Sequence, residues 1–359
     1  MLKTGKLDNK LLEDIVFKYI RHRRPEVLTR PGIGEDCAVI DFGSYECVVS
    51  TDPITAAAAQ AGVLAIHVSC NDIASNGVAP IGVMLAVLLP EGTKEEDVRD
   101  IMRKAAEAAE ESDVEIIGGH TEITPAVTKP VIISTAIGRA ENGASQNAKS
   151  MRPGDFFLLT KQAGLEGTGI IASDFKHRLA GVLNDEEISE AEAMLSRVSV
   201  VREGVIAGKI GTSGMHDVTE GGVLGAVYEM CEISKTGAEI WEDAIPVASV
   251  TRKLCSHFGI DGLRLISSGS MLIAVRSEKK DLLLSAVRDA GIDISCIGVV
   301  KERGAGLSVI SGDIRRDIDP PGADEIYKVT SKRCKTINET ACDKNRTARP
   351  TFGRNGNTR

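Results

Sequence analysis

Aromatic residues are scarce: seven Phe, four Tyr and one Trp in 359 residues. So few rings offer no platform on which successive bases could stack, and single-strand nucleic-acid binding is not expected. A positive excess is missing as well. Lys and Arg number 43 against 51 Asp and Glu, a formal charge of −8 with neutral histidines, the wrong sign for neutralising phosphates. No apolar run approaches the roughly 18 residues that cross a bilayer, and the longest, Val83–Leu89, is strand-sized. The opening MLKTGKLDNK carries charge where a secretory signal is apolar. These absences predict a cytoplasmic chain with neither nucleic acid nor membrane as partner. The eight cysteines form no CxxC and no Cys/His set at zinc spacing, so they are expected to be reduced and mostly buried. GxSxG, a Walker GxxxxGK[ST] and a dinucleotide GxGxxG in the right setting are also absent, which removes three common catalytic frames.

What is present suits an ordinary globular protein of about two domains. Leu11, Leu12, Ile15, Val16 and Ile20 approximate helical spacing and predict an amphipathic helix over 8–20. Strands are expected at Cys37–Ile40, Cys47–Ser50, Gly82–Leu89, Val114–Ile117 and Val131–Ile137. Helices are expected over 61–76, closed by Gly77, and from Thr93, with a Thr93/Glu96 capping box. The polar, turn-rich Glu141–Ser150 and then Pro153-Gly154 put a domain boundary near residue 150. Beyond it come strands at Phe156–Thr160, Met271–Val275 and Cys296–Val300, and helices near 189–207 and over 222–234. The expected division is 1–150, 151–330 and a basic, polar tail over 331–359 of disordered composition.

Candidate chemistry is scattered along the chain. Gly32-Ile-Gly-Glu-Asp36 couples a tight glycine turn, able to approach an anion, to carboxylates that suit Mg²⁺. Asp52 ends an apolar strand in Ser-Thr-Asp-Pro, where a plain turn former is the competing reading. Helix 61–76 is otherwise small and apolar, yet Ser69, Asp72 and Asn76 fall on one line. A carboxylate there must face water, be paired or bind a cation. Ile116-Ile-Gly-Gly-His-Thr-Glu122 sets His120, a possible base or metal ligand, after a double glycine. Gly214-Met-His-Asp-Val-Thr-Glu-Gly-Gly222 runs into a helix whose first N–H groups favour phosphate, with Asp217 as one more metal oxygen and Thr219 as a plain N-cap. A glycine-rich segment, 160–169, follows another strand. Taken together, four separated acids beside glycine-rich backbone suit a polyphosphate bridged by Mg²⁺.

The blocks GIGEDCAV (32–39), STDPI (50–54), CNDIASNGVAPIGV (70–83), IIGGHTE (116–122), GDFFLLTKQAGLEGTGI (154–170), HDVTEGGVLGAV (216–227) and SSGSMLIAV (267–275) resemble the AIR synthase-related (PurM-like) superfamily. HDVTEGGVLGAVYEM and PPGADEIYKV are most similar to its hydrogenase maturation factors of the HypE type, while the first two blocks are closer to thiamine-monophosphate kinase. The resemblance implies a two-domain α+β fold, with N-terminal domains pairing their sheets in a homodimer. ATP and Mg²⁺ are the implied cofactors, and the acceptor of the phosphoryl group is a small molecule or is carried on a protein. It also implies site roles: Asp36, Asp52, Asp72 and Asp217 at metal positions, Asp72 and His120 in catalysis, and Gly34, Asn71, Gly118, Gly119, Thr121, Gly167 and Thr219 around the nucleotide. Two departures stand out. The sequence closes Gly-Asn-Thr-Arg359 where HypE proteins carry a reactive cysteine, and His120 stands where relatives place an acid. The competing readings are a thiamine-monophosphate-type kinase and a nucleotide-binding scaffold without catalysis.

Overall fold

The structure, a computed structural model, describes residue 7 and residues 9–55 and 60–330. The basic segment 331–359, with Cys334 and Cys342, lies outside the described residues.

Six strands form the first sheet: β1 (Val27–Thr29), β2 (Ala38–Asp41), β3 (Tyr45–Ile54), β4 (Pro80–Leu89), β5 (Glu115–Ile123) and β6 (Val131–Glu141), in the order β1-β2-β3-β6-β4-β5. All neighbours are antiparallel except β4 and β5. That parallel pair needs a crossover, which α3 (Glu95–Glu111) supplies, its apolar stripe packing chiefly on the neighbouring helix 61–75. The second sheet holds β7 (Phe156–Thr160), β8 (Gly214–Asp217), β9 (Gly237–Trp241), β10 (Met271–Val275), β11 (Ile294–Lys301), β12 (Leu307–Ser311) and β13 (Ile314–Asp317), in the order β13-β12-β9-β11-β7-β10-β8. Helices α4 (Leu165–Asp174), α5 (Asp185–Ala193), α6 (Val201–Ile210), α7 (Gly222–Ser234), α8 (Ser249–Phe258) and α9 (Ser277–Asp289) surround it. The chain is therefore α+β, as expected.

Helix α2 (Ala61–Ser75) joins the two sheets. It packs on β3, β6 and α3 of the first half and on α6 and β8 of the second. Nearly every residue in it is buried, which explains its uniformly small and apolar composition. Its C-terminal end meets α6 almost backbone to backbone: a Cβ on Gly204 would lie 2.5 Å from the Ala74 carbonyl oxygen.

Several elements differ from expectation. The amphipathic segment 8–20 is a broken run, α1 (Asn9–Leu11) followed by a π turn and a 3₁₀ turn, with no buried residue to hold its apolar stripe. Helix α3 starts at Glu95, and the reciprocal cap is the Asp97 carboxylate accepting from the Lys94 N–H at 3.1 Å, while Thr93 Oγ1 bonds the Pro90 carbonyl instead. The helix expected over 189–207 breaks into α5, a 3₁₀ turn and α6. The Asn71 side chain causes that break, because its amide donates to the Val198 carbonyl and accepts from the Val200 N–H, both at 2.8 Å.

Candidate active site

Four separate stretches deliver acids to one place beside α2. Asp36 follows the Gly32–Glu35 turn, Asp52 lies on β3, Asp72 on α2 and Asp217 at the end of β8. Ser50 Oγ is 3.0 Å from the Asp36 carbonyl and also hydrogen-bonds Asp72 Oδ2, tying β3 to α2. The Cys37 thiol donates to the Asp72 carbonyl at 3.2 Å, and burial together with Asp72, Asp36, Asp217 and Asp52 pushes its pKa up, so it stays a thiol. Burial first, and then the charges of Asp217, Asp52 and Asp36, raise Asp72 well above the usual carboxylate range. Asp217 is pushed up to about 7 by burial and by Asp36, with His216 opposing. The polar line on α2 does not face water: Ser69, Asp72 and Asn76 are all buried.

Unmet hydrogen-bonding capacity is concentrated here. Asp52 Oδ2 and both Asp217 oxygens are buried with no hydrogen-bond partner among the described residues. Buried carboxylates without donors are costly, and like charges side by side more so. A divalent cation with oxygen ligands removes both costs, so these residues fit Mg²⁺. Asp36, His216 and Asp217 bring ligand-type atoms within 4.8 Å of one another. The imidazole, however, is engaged at both nitrogens. Nδ1 lies 2.7 Å from the Asp217 carbonyl and 3.4 Å from Asp36 Oδ2, and Nε2 lies 3.0 Å from Glu229 Oε2. Burial opposes charge on this ring, but Asp36, Glu229 and Asp217 outweigh it and raise the pKa to about 10. His216 is thus a buried imidazolium that orients the acids, and carboxylates are left as the metal donors.

The His216–Glu229 pair was missed in the sequence, although the signal existed: Glu229 stands on the apolar stripe of α7 between Val227 and Met230, much as Asp72 stands among apolar residues on α2. Glu35, beside Asp36, is not part of the cluster, since Lys149 Nζ holds it at 2.6 Å. A cleft of about 220 Å³ opens on Asp36, lined by Gly32–Glu35, Glu229 and the first-segment residues Asn9, Leu12 and Phe17. Gly34 belongs to this lining.

Other expected site residues lie elsewhere. The strand register runs Pro53, Ile133, Ala86, His120 across β3, β6, β4 and β5. Three strand spacings, about 14 Å, therefore separate His120 from the Asp52 end of β3 within one chain. His120 is exposed and pairs with Glu122 at 3.1 Å. Gly118, Gly119 and Thr121 share that edge strand and line a separate cavity of about 270 Å³ with Leu85, Val87, Met102 and Ile116. Gly119, at φ +145°, is required by packing, because a Cβ would sit 1.9 Å from the Leu85 carbonyl oxygen. Asn71 has its amide committed to Val198 and Val200 and is a structural clasp rather than a nucleotide contact. Gly167 lets α4 approach Leu265, whose Cγ would be 2.4 Å from an added Cβ. The start of α7 is capped by Gly221 in a left-handed conformation, not by the Thr219 side chain. Three of its N–H groups are engaged: Gly221 donates to Asp324 Oδ2, Gly222 to the Thr219 carbonyl and Leu224 to the Leu263 carbonyl. The acid at that helix start is the protein's own Asp324.

Comparison with known proteins agrees with this architecture. Residues 34–140 match the AIR synthase related protein, N-terminal domain, and residues 152–310 the AIR synthase related protein, C-terminal domain. A Methanocaldococcus jannaschii protein named for hydrogenase expression and formation is 28% identical over 341 residues, covering 90% of this chain and 97% of that protein. The carbamoyl dehydratase HypE of Escherichia coli is 27% identical over 283 residues, covering 77% and 81%. A crystal structure of the hydrogenase maturation protein HypE in complex with ATP superposes with a TM-score of 0.69 at 22% identity, over 90% of this chain and 97% of that one. No helix among the described residues is long and apolar enough to cross a membrane. Both halves carry the signature in the expected order, and the chain belongs to the AIR synthase related family.

Proposed function

We propose that this protein is an ATP- and Mg²⁺-dependent enzyme of the HypE-like type, which transfers a phosphoryl group to an oxygen of its acceptor or activates that oxygen for replacement. The observation that supports it most is the meeting of Asp36, Asp52, Asp72 and Asp217 with three buried oxygens lacking partners. Metal bound there neutralises charge that develops on the transferred phosphate. The chain's own residues do the rest. Ser50 and His216 fix the carboxylates, and burial on α2 and β8 excludes bulk water, strengthening each electrostatic contact.

Two features extend this reading. The cleft beside Asp36 is smaller than the roughly 300 Å³ at which ordinary ligand pockets begin. Room for the nucleoside would come from the first segment, Asn9–Tyr19, which has no buried residue to anchor it. The large apolar residues Ile81, Met84, Ile117 and Ile123 are all exposed on the adjacent strands β4 and β5. A homodimer that covers this face accounts for them and sets the His120 strand at the subunit boundary. The division near residue 150 into a nucleotide-binding and a partner half belongs to the same proposal.

Asp72→Asn tests the function. It keeps the shape and removes the charge, and ATP-to-ADP turnover should fall at least about 100-fold, as when a group that stabilises transition-state charge is lost. Turnover equal to the parent protein's would sink the reading.

A further inference from the structure

Another oxygen without a partner lies on the sheet beside the acids. Ser134 of β6 is fully buried, and its Oγ has no hydrogen-bond partner among the described residues. The same holds for Asp52 Oδ2, and the two residues sit opposite each other in the antiparallel pair of β3 and β6. Opposed residues of such a pair share one face of the sheet, with Cβ atoms about 4.5–5.5 Å apart. The neighbouring pair shows which face this is. Thr51 and Thr135 bring their Oγ1 atoms to 3.0 Å on the exposed side, so Asp52 and Ser134 point the other way, toward α2. There Ser69 Oγ donates to the Ser134 carbonyl at 3.2 Å, one turn of α2 before Asp72. Glu166 Oε2, in α4, is also buried without a partner, but burial raises that carboxyl's pKa to about 7, so below neutrality it holds a proton of its own.

Donors are scarce around Asp52. As carboxylates, Asp36, Asp72 and Asp217 have no hydrogen to give. The Ser50 hydroxyl is taken up by the Asp36 carbonyl and Asp72 Oδ2. Both nitrogens of His216 are engaged by Asp217, Asp36 and Glu229. The Ser134 hydroxyl has a hydrogen and no other taker among the described residues. Carboxylates that ligate a metal are themselves hydrogen-bonded, and that outer contact fixes which oxygen faces the ion.

We propose that Ser134 is a positioning residue of the metal site: its hydroxyl, turned about χ1, donates to one oxygen of Asp52 and aims the other at the cation. The inference rests on the function proposed above. It gives both orphaned oxygens a partner without adding charge to a cluster that already holds four acids.

The test titrates Mn²⁺, which suits the same carboxylate ligands as Mg²⁺, into the full chain by calorimetry. Ser134→Ala should weaken Mn²⁺ binding about 10-fold or more, whereas Ser134→Thr, which keeps the hydroxyl, should stay within about threefold of the parent protein. Without metal, Ser134→Ala should melt at or above the parent temperature, because it removes a buried hydroxyl that has no partner. Mn²⁺ affinity in Ser134→Ala within about threefold of the parent, or equal weakening in Ser134→Thr, would overturn the assignment. So would a parent protein that binds no Mn²⁺, or a metal-free Ser134→Ala protein that melts lower, which would mark the serine as structural. Turnover of Asp72→Asn reports separately on the parent reading: unchanged turnover defeats the phosphoryl-transfer function, while the Mn²⁺ affinities still decide whether Ser134 steadies a metal ligand.

Discussion

Strand β10 in the second sheet is buried at all five residues, whereas β5 at the edge of the first sheet is exposed at every residue but Ile116. Each half nevertheless has something unfinished. In the first half it is on the surface, where Met84 and Ile117 face solvent beside an unpaired strand edge. In the second half it is internal, at the unpartnered oxygen of Glu166. An apolar face without cover calls for protein, and a buried carboxyl oxygen without a donor is costly unless the group is protonated or paired. The contrast separates assembly from chemistry within one chain.

Three substitutions sharpen it. Leu158, fully buried on β7, should cost about 3 to 5 kcal/mol when replaced by alanine, read by urea unfolding, because its neighbours on both faces of the sheet hold the cavity open. The pH dependence of stability comes next. Glu166 is protonated in the folded protein up to about 7 but ionises at its ordinary 4.5 in the unfolded chain, so between these values the unfolded state binds fewer protons and stability falls as pH rises. The full loss is about 3 kcal/mol and is complete above pH 7. Glu166→Gln should lack this component, and unfolding curves at pH 4.5 and 7 that change by the same amount in both proteins would refute it. Smallest is Met84→Asp, which should alter unfolding of the isolated chain by no more than about 0.5 kcal/mol. Its effect should appear instead in sedimentation, as a shift from dimer to monomer.

How far the sequence could be read depended on the kind of interaction. Strands β7 and β10 and helix α7 fall where their apolar patterns predict, since burial on both faces leaves a continuous signal. Helix α4, strand β12 and the edge strand β13 carried too little periodicity to be seen. The four aspartates were legible because an acid beside glycine or inside an apolar helix is conspicuous in one dimension. His120 misled for the complementary reason: a Gly-Gly-His turn looks alike whether it bends toward a ligand or lets an edge strand pass close to Leu85. The uses of Asn71 and of the α7 N-terminus were invisible, because their partners, Val198, Val200 and Asp324, lie more than a hundred residues away. Glu166 also passed unremarked, hidden in a segment noticed only for its glycines.

The Asn71 clasp has a mechanical meaning. It fastens α2 to the backbone of 198–200 at the residue immediately before Asp72, and Gly204 presses the same helix from the other half. Rocking one half against the other would tear that fastening and scatter the aspartates, so under the proposed function any opening of the cleft would fall to Asn9–Tyr19, which has no buried residue.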